Sequence, residues 1–181
     1  SIAIVPSAVI EFQDGVYPTA SYAGTRDTYI SEPNPDTNYG TAQTLFVDGD
    51  AGGTGQAEWA LIKWDLSAIP VGSTIQSASI TFNVTDNGTS QTYHIYEITG
   101  AWSETGATWN NQPAWGGTSL GTVGPFGSGP QTVGISVTVV QKWVDNPSSN
   151  RGIIMADGSN TSGIDMDSGE ASTATNRPKL I

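Results

Sequence analysis

The stretch SASITFNVT, residues 77–85, alternates without a break: Ala78, Ile80, Phe82 and Val84 are apolar, while Ser77, Ser79, Thr81, Asn83 and Thr85 are polar. Successive side chains on a strand point to opposite faces, so this period of two predicts a strand with one buried and one wet face. One-sided burial belongs to antiparallel sheets, because parallel sheets are covered on both sides. A second stretch, WALIKWDL at 59–66, alternates as well. Its Ile62, Trp64 and Leu66 form one face, and Trp59, Leu61, Lys63 and Asp65 form the other. Further strands are expected at DTYIS (27–31), TLFVD (44–48), TYHIYEI (92–98), QTVGISV (131–137) and RGIIMA (151–156), each flanked by turn-forming residues.

Helical spacing occurs in SVTVVQKWVDNP, where Val140, Trp143 and Val144 recur at i, i+3 and i+4 and the Asn-Pro pair stops the run. One short helix is therefore expected near residues 138–145. Many short strands and long polar loops predict an all-β chain, a two-sheet antiparallel β-sandwich of jelly-roll type. The 181 residues suit a single domain, with 1–26 as a lead-in strand and loop. Ile62, Trp64, Leu66, Ile80, Phe82 and Val84 are the expected core.

Composition narrows the function. Seventeen acids against six Lys and Arg give a net charge of −11, which argues against nucleic acid, whose binding needs clustered cations. No run approaches the ~18 apolar residues of a membrane span. The start, SIAIVPSAV, lacks the basic and apolar segments of a secretory signal. Zero cysteines exclude disulfides and thiol chemistry, and an acidic, lysine-poor surface suits an extracellular setting. His94 is the only histidine, lies mid-strand, and has no G-x-S-x-G nearby, so neither a hydrolytic triad nor a zinc site is expected. The chain reads as non-catalytic.

Two stretches are dense in oxygen ligands. FVDGDAGGTGQAE (46–58) places Asp48 and Asp50 two apart, with Glu58 returning on the next strand. ADGSNTSGIDMDSGE (156–170) offers Asp157, Asn160, Asp165, Asp167 and Glu170. Calcium takes about six to eight hard oxygens, so the first loop is the leading candidate for a structural calcium and Asp157, Asp165 and Asp167 the second. The alternatives are Asx turns without metal and, for the second stretch, an ion pair between Glu170 and Arg177.

Five motifs stand in order: DTYI (27–30), NPDTNYG (34–40), ALIKWDLSAIPVGSTIQSASI (60–80), WSETGATWN (102–110) and NRPKL (176–180). Together they resemble the DNRLRE domain family, which overlaps the family 96 carbohydrate-binding modules. The resemblance implies a jelly roll appended to a catalytic or surface domain of a secreted protein, binding an extracellular polysaccharide, of alginate type for family 96. It implies further that Trp102, Glu104 and Trp109 close one end of the sandwich, the rings as core and Glu104 as an anchor for a loop.

Sugar binding asks for a ring to stack on the C–H face of a pyranose and polar groups to fix its hydroxyls. Trp59 with Lys63 and Asp65 on one sheet face is the first candidate. Trp115, in a loop after NQPA, is the second, and Tyr39 before Gly40 is the weakest. The alternative function is a structural or adhesive cell-surface spacer without a sugar site.

Overall fold

The computed structural model describes residues 7–88, 92–156 and 162–181. Ten strands are formed among them: β1 (Thr25–Ser31), β2 (Thr44–Val47), β3 (Glu58–Trp64), β4 (Ser79–Asp86), β5 (Tyr93–Ile98), β6 (Trp115–Val123), β7 (Gly129–Gly134), β8 (Ile153–Ala156), β9 (Ile164–Asp167) and β10 (Lys179–Leu180). One α-helix, α1, covers Val137–Asp145. The strands build two antiparallel sheets. The first runs β1-β3-β8-β5-β6. In the second, β7 lines one edge of β4, while β10 and then β9 share the other edge, and β2 pairs with β9. The expected two-sheet sandwich with one short helix is the observed fold.

The inter-sheet core is the one that alternation dictates. Ile62, Trp64, Leu66, Ile80, Phe82 and Val84 are all at most 7% exposed and pack into one apolar cluster. Helix α1 buries its Val140, Trp143 and Val144 stripe against the same cluster. The indole N–H of Trp143 donates to Glu97 Oε1 at 3.1 Å, and Lys142 pairs with the same carboxylate. The lead-in contributes through Phe12, whose backbone pairs with Leu180.

Three strands depart from the sequence reading. Trp115 opens β6 instead of lying in a loop; glycines and two register shifts against β5 erase the period of two there. The stretch read as a second metal loop contains β9, with Ile164 and Met166 buried and Asp165 and Asp167 half-buried between them. Its four-residue alternation is hidden among Asp, Ser and Gly neighbours. Strand β10 has two residues, too few to show any period.

The outer face of the first sheet is also not the wet surface expected. Ile30, Leu61, Ile98, Ile154 and Ala156 are fully buried there, with Tyr96 nearly so. The 99–114 segment covers them: Ala107 is buried in this second cluster, and Trp59, Trp102, Trp109 and Trp115 pack against it half-buried. Trp102 and Trp109 thus cap a sheet face from outside instead of plugging the space between sheets. The consequence is measurable by urea unfolding. Phe82→Ala should cost about 3–5 kcal/mol, and Leu61→Ala about 2–5 kcal/mol, whereas a leucine on a wet face would cost at most about 0.5 kcal/mol.

Candidate functional site

The covering segment is held by a loop that comes before it in the chain. Asn38 donates its side-chain amide to the carbonyls of Glu104 and Ala107, both at 2.8 Å. Gly40 packs so tightly beneath that a Cβ would stand 2.2 Å from Glu104 O. Asn110 reaches back, its N–H to Pro35 O at 3.0 Å and its amide to Asp36 at 2.7 Å. The indole N–H of Trp102 donates to Arg151 O at 2.7 Å. The motifs NPDTNYG and WSETGATWN are therefore two halves of one clamp. Glu104 completes it by accepting the Asp27 N–H at 3.0 Å, which anchors the segment to the edge strand β1.

A hollow of 270 Å³ opens beside this anchor, lined by Arg26, Lys63, Trp102, Ser103, Glu104 and Thr105. Arg26 and Lys63 are cross-strand partners in the β1–β3 register, so both project from the outer face. Like charges directly opposite one another destabilise a sheet. Glu104 offsets this in part, its Oε2 lying 3.8 Å from Arg26 Nε. Among the described residues no carboxylate pairs with Lys63; Lys142 and Lys179 are each committed to a glutamate. Arg177 is spent on the carbonyls of Ala171 and Asp14, not on Glu170. Arg151 likewise has no carboxylate partner among the described residues, but Arg26 and Lys63 are the two cations that stand directly opposite each other on neighbouring strands of this strongly acidic protein.

The residues singled out for sugar binding are scattered. Trp59 and Lys63 share a face but are four residues apart, about 13 Å along the strand. Trp59 lies instead against Trp109 (centroids 4.7 Å, planes at 47°) and Trp115 (5.8 Å, 82°), and Trp115 against Tyr96 (4.8 Å, 41°). These rings meet tilted or, for Trp59 and Trp115, edge to face, and do not form a coplanar platform. The Trp59 indole N–H is buried with no acceptor among the described residues. Tyr39 stacks on Tyr29 at 4.1 Å and packs against the inter-sheet core. Asp65 lies past the end of β3 and caps its own turn, accepting the Ser67 N–H at 2.9 Å. His94, on the same outer face, faces the Ser119 hydroxyl at 3.2 Å.

The acids also regroup. In the first expected calcium loop, Asp48 accepts the Asp50 N–H at 2.8 Å, Asp50 accepts the Gly55 N–H, and Glu58 accepts the Ser31 hydroxyl at 2.7 Å. These are turn caps and one cross-strand hydrogen bond between β1 and β3. In the second, Asp167 accepts from Asn83 at 2.6 Å, and Asp157 and Asn160 lie outside the described residues. A different set converges. Asp27, Glu104 and Glu170 bring one carboxylate oxygen each within 4.8 Å of one another and could hold a metal ion. Asp27 is 1% exposed, and its Oδ2 accepts the Gly169 N–H at 2.7 Å. Burial and the neighbouring Glu170 charge push the Asp27 carboxyl well above the ordinary carboxylate range, and burial also raises Glu170. Asp27 was visible in the sequence only as the first residue of a strand, and nothing local marked it as a ligand.

Asp165 titrates abnormally too, pushed up to about 6 by burial and by the charges of Asp86, Glu58 and Asp48. Between its ordinary value of 3.8 and about 6 the native state holds a proton that the unfolded chain has released. Its contribution to stability therefore falls as pH rises through that window and levels off above it. In chelator-treated buffer, Asp165→Asn should melt higher than the wild type at pH 7, with the difference vanishing near pH 4; an equal difference at both pH values would refute the assignment.

No helix among the described residues is long and apolar enough to cross a membrane. Comparison with curated proteins gives no match. The model of carbohydrate-binding module family 96 matches residues 18–181. That match contains the clamp, the cationic hollow and the acidic triad alike, and the chain belongs to carbohydrate-binding module family 96.

Proposed function

We propose that this module binds an acidic extracellular polysaccharide, of alginate type, on the outer face of the first sheet. Family 96 membership supports carbohydrate binding, a role that is generally non-catalytic and extracellular. The observation that carries the acidic preference is the Arg26–Lys63 pair. A protein of charge −11 repels a polyanion at long range, so capture needs a local cation cluster. Here two cations stand side by side next to the Trp102 ring, with only Glu104 opposing them. Carboxylates of successive uronates would pair with Arg26 and Lys63, while Trp102 offers the apolar contact. Trp59 and Trp115, farther along the same face, would meet a longer chain and not the same sugar. Tyr39 and Asp65 fall outside this reading, because one is stacked into the core and the other caps a turn. In a secreted multidomain protein such a module would hold an attached catalytic or surface domain on its substrate. Calcium is the ion we assign to it, since the chain offers hard oxygen donors, one histidine and no cysteine.

Calorimetry against polyuronate and against a neutral glucan tests this. Binding of polyuronate in the micromolar to millimolar range, about −4 to −8 kcal/mol, is expected, weakening as salt screens the charges. Lys63→Gln should weaken it at least about tenfold with an unchanged melting temperature. Salt-independent binding of the neutral glucan, or full affinity in Lys63→Gln, would sink the proposal. A wild type that binds no glycan would leave the spacer function.

A further inference from the structure

We infer that Asp27, Glu104 and Glu170 form a calcium site that locks the tryptophan-bearing segment and the second sheet onto the edge of the first. This rests on the calcium assignment above and is independent of which polysaccharide binds. Each ligand comes from a different part of the fold. Asp27 is on β1 of the first sheet, Glu104 is in the covering segment, and Glu170 follows β9 of the second sheet.

Three features point to an ion. One oxygen from each carboxylate lies within 4.8 Å of the others, the spacing of ligands that share a single ion at calcium–oxygen distances of about 2.3–2.6 Å. Asp27 is 99% removed from solvent, yet its Oδ1 has no hydrogen-bond donor, and the same holds for the buried Oε2 of Glu170. A buried carboxylate oxygen left bare is costly, and three carboxylates together are more so. The backbone is also shaped around the group: a Cβ on Gly169 would stand 2.8 Å from Asp27 Oδ2. Of the three carboxylates the neighbouring cation, Arg26, pairs only with Glu104, at 3.8 Å, while its Nη1 donates to the carbonyls of Ala23 and Thr25, so it neutralises the edge of the cluster and not its centre. What remains is a cation among the three, or a proton shared between Asp27 and Glu170. Calcium suits the first, because its flexible coordination accepts ligands from three loosely coupled segments, where magnesium demands a near-ideal octahedron. Main-chain carbonyls and water would supply the remaining oxygens.

The two occupants predict opposite results. Chelator-stripped protein titrated with calcium chloride alone should bind one ion per chain. At a hundredfold excess over the dissociation constant its melting temperature should rise by about 5–10 °C, with magnesium giving a smaller shift. Asp27→Asn and Glu170→Gln should each weaken calcium at least about tenfold and lose the shift. Glu170 is half-buried, so its variant decides the matter if Asp27→Asn does not fold. Calcium bound with wild-type affinity by Glu170→Gln would place the ion elsewhere and overturn the triad while leaving calcium itself standing. A wild type that binds no calcium, with Asp27→Asn melting at or above it, would overturn both in favour of the shared proton. Neither outcome depends on sugar binding.

Discussion

Strand β3 is buried on both faces, and the rest of the architecture follows from that constraint. Ala60, Ile62 and Trp64 face the second sheet, while Leu61 is equally inaccessible on the opposite side. A sheet of a simple sandwich leaves its outer face to water. Here Leu61, Ile98 and Ile154 need a lid, and residues 99–114 are that lid. A lid without regular structure must have its backbone groups satisfied by other means. Asn38 donates to the carbonyls of Glu104 and Ala107, Asn111 donates to the Gly106 carbonyl and accepts the Thr108 N–H, and the Pro35 carbonyl accepts the Asn110 N–H.

The anchoring of the lid sets the chemistry of the surface. Glu104 has to reach the Asp27 N–H on the open edge of β1, and that reach brings a third carboxylate to Asp27 and Glu170. Its other oxygen turns toward Arg26, which stands in register with Lys63. One glutamate is thus shared by an acidic cluster and a cationic hollow. On the proposed reading, loop fixation, metal binding and ligand capture are coupled through this single side chain. Loss of Glu104 would unsettle all three together, so the less entangled neighbours, Lys63 and Glu170, are the informative positions.

The tryptophans fit the same logic. Trp59, Trp109 and Trp115 pack against one another, tilted in one pair and edge to face in the other, over the apolar patch, where they contribute area to the lid. Trp102 differs by lining the hollow while its N–H is fixed on Arg151 O, which holds the ring in place beside the two cations. An immobilised ring loses little entropy when a ligand arrives.

Alternation in SASITFNVT and WALIKWDL was enough to determine the antiparallel sandwich, the facing of β3 and β4 and the core from Ile62 to Val84, because side-chain direction along a strand is a local property. The i, i+3, i+4 spacing of Val140, Trp143 and Val144 determined α1 in the same way. Strands β6 and β9 escaped, since bulges and a four-residue length leave no period to read. What only the tertiary structure decided is what covers an outward face and which distant side chains converge. Trp59 and Lys63 alternate correctly onto one face, yet a loop forty residues on determines that the first is packed and the second is free. In their own segments Asp27 carries no mark, Glu104 reads as a loop anchor and Glu170 as one acid among several. They become a group because β1, the covering loop and the turn after β9 meet at one edge, and sequence spacing carries no information about such long-range meetings.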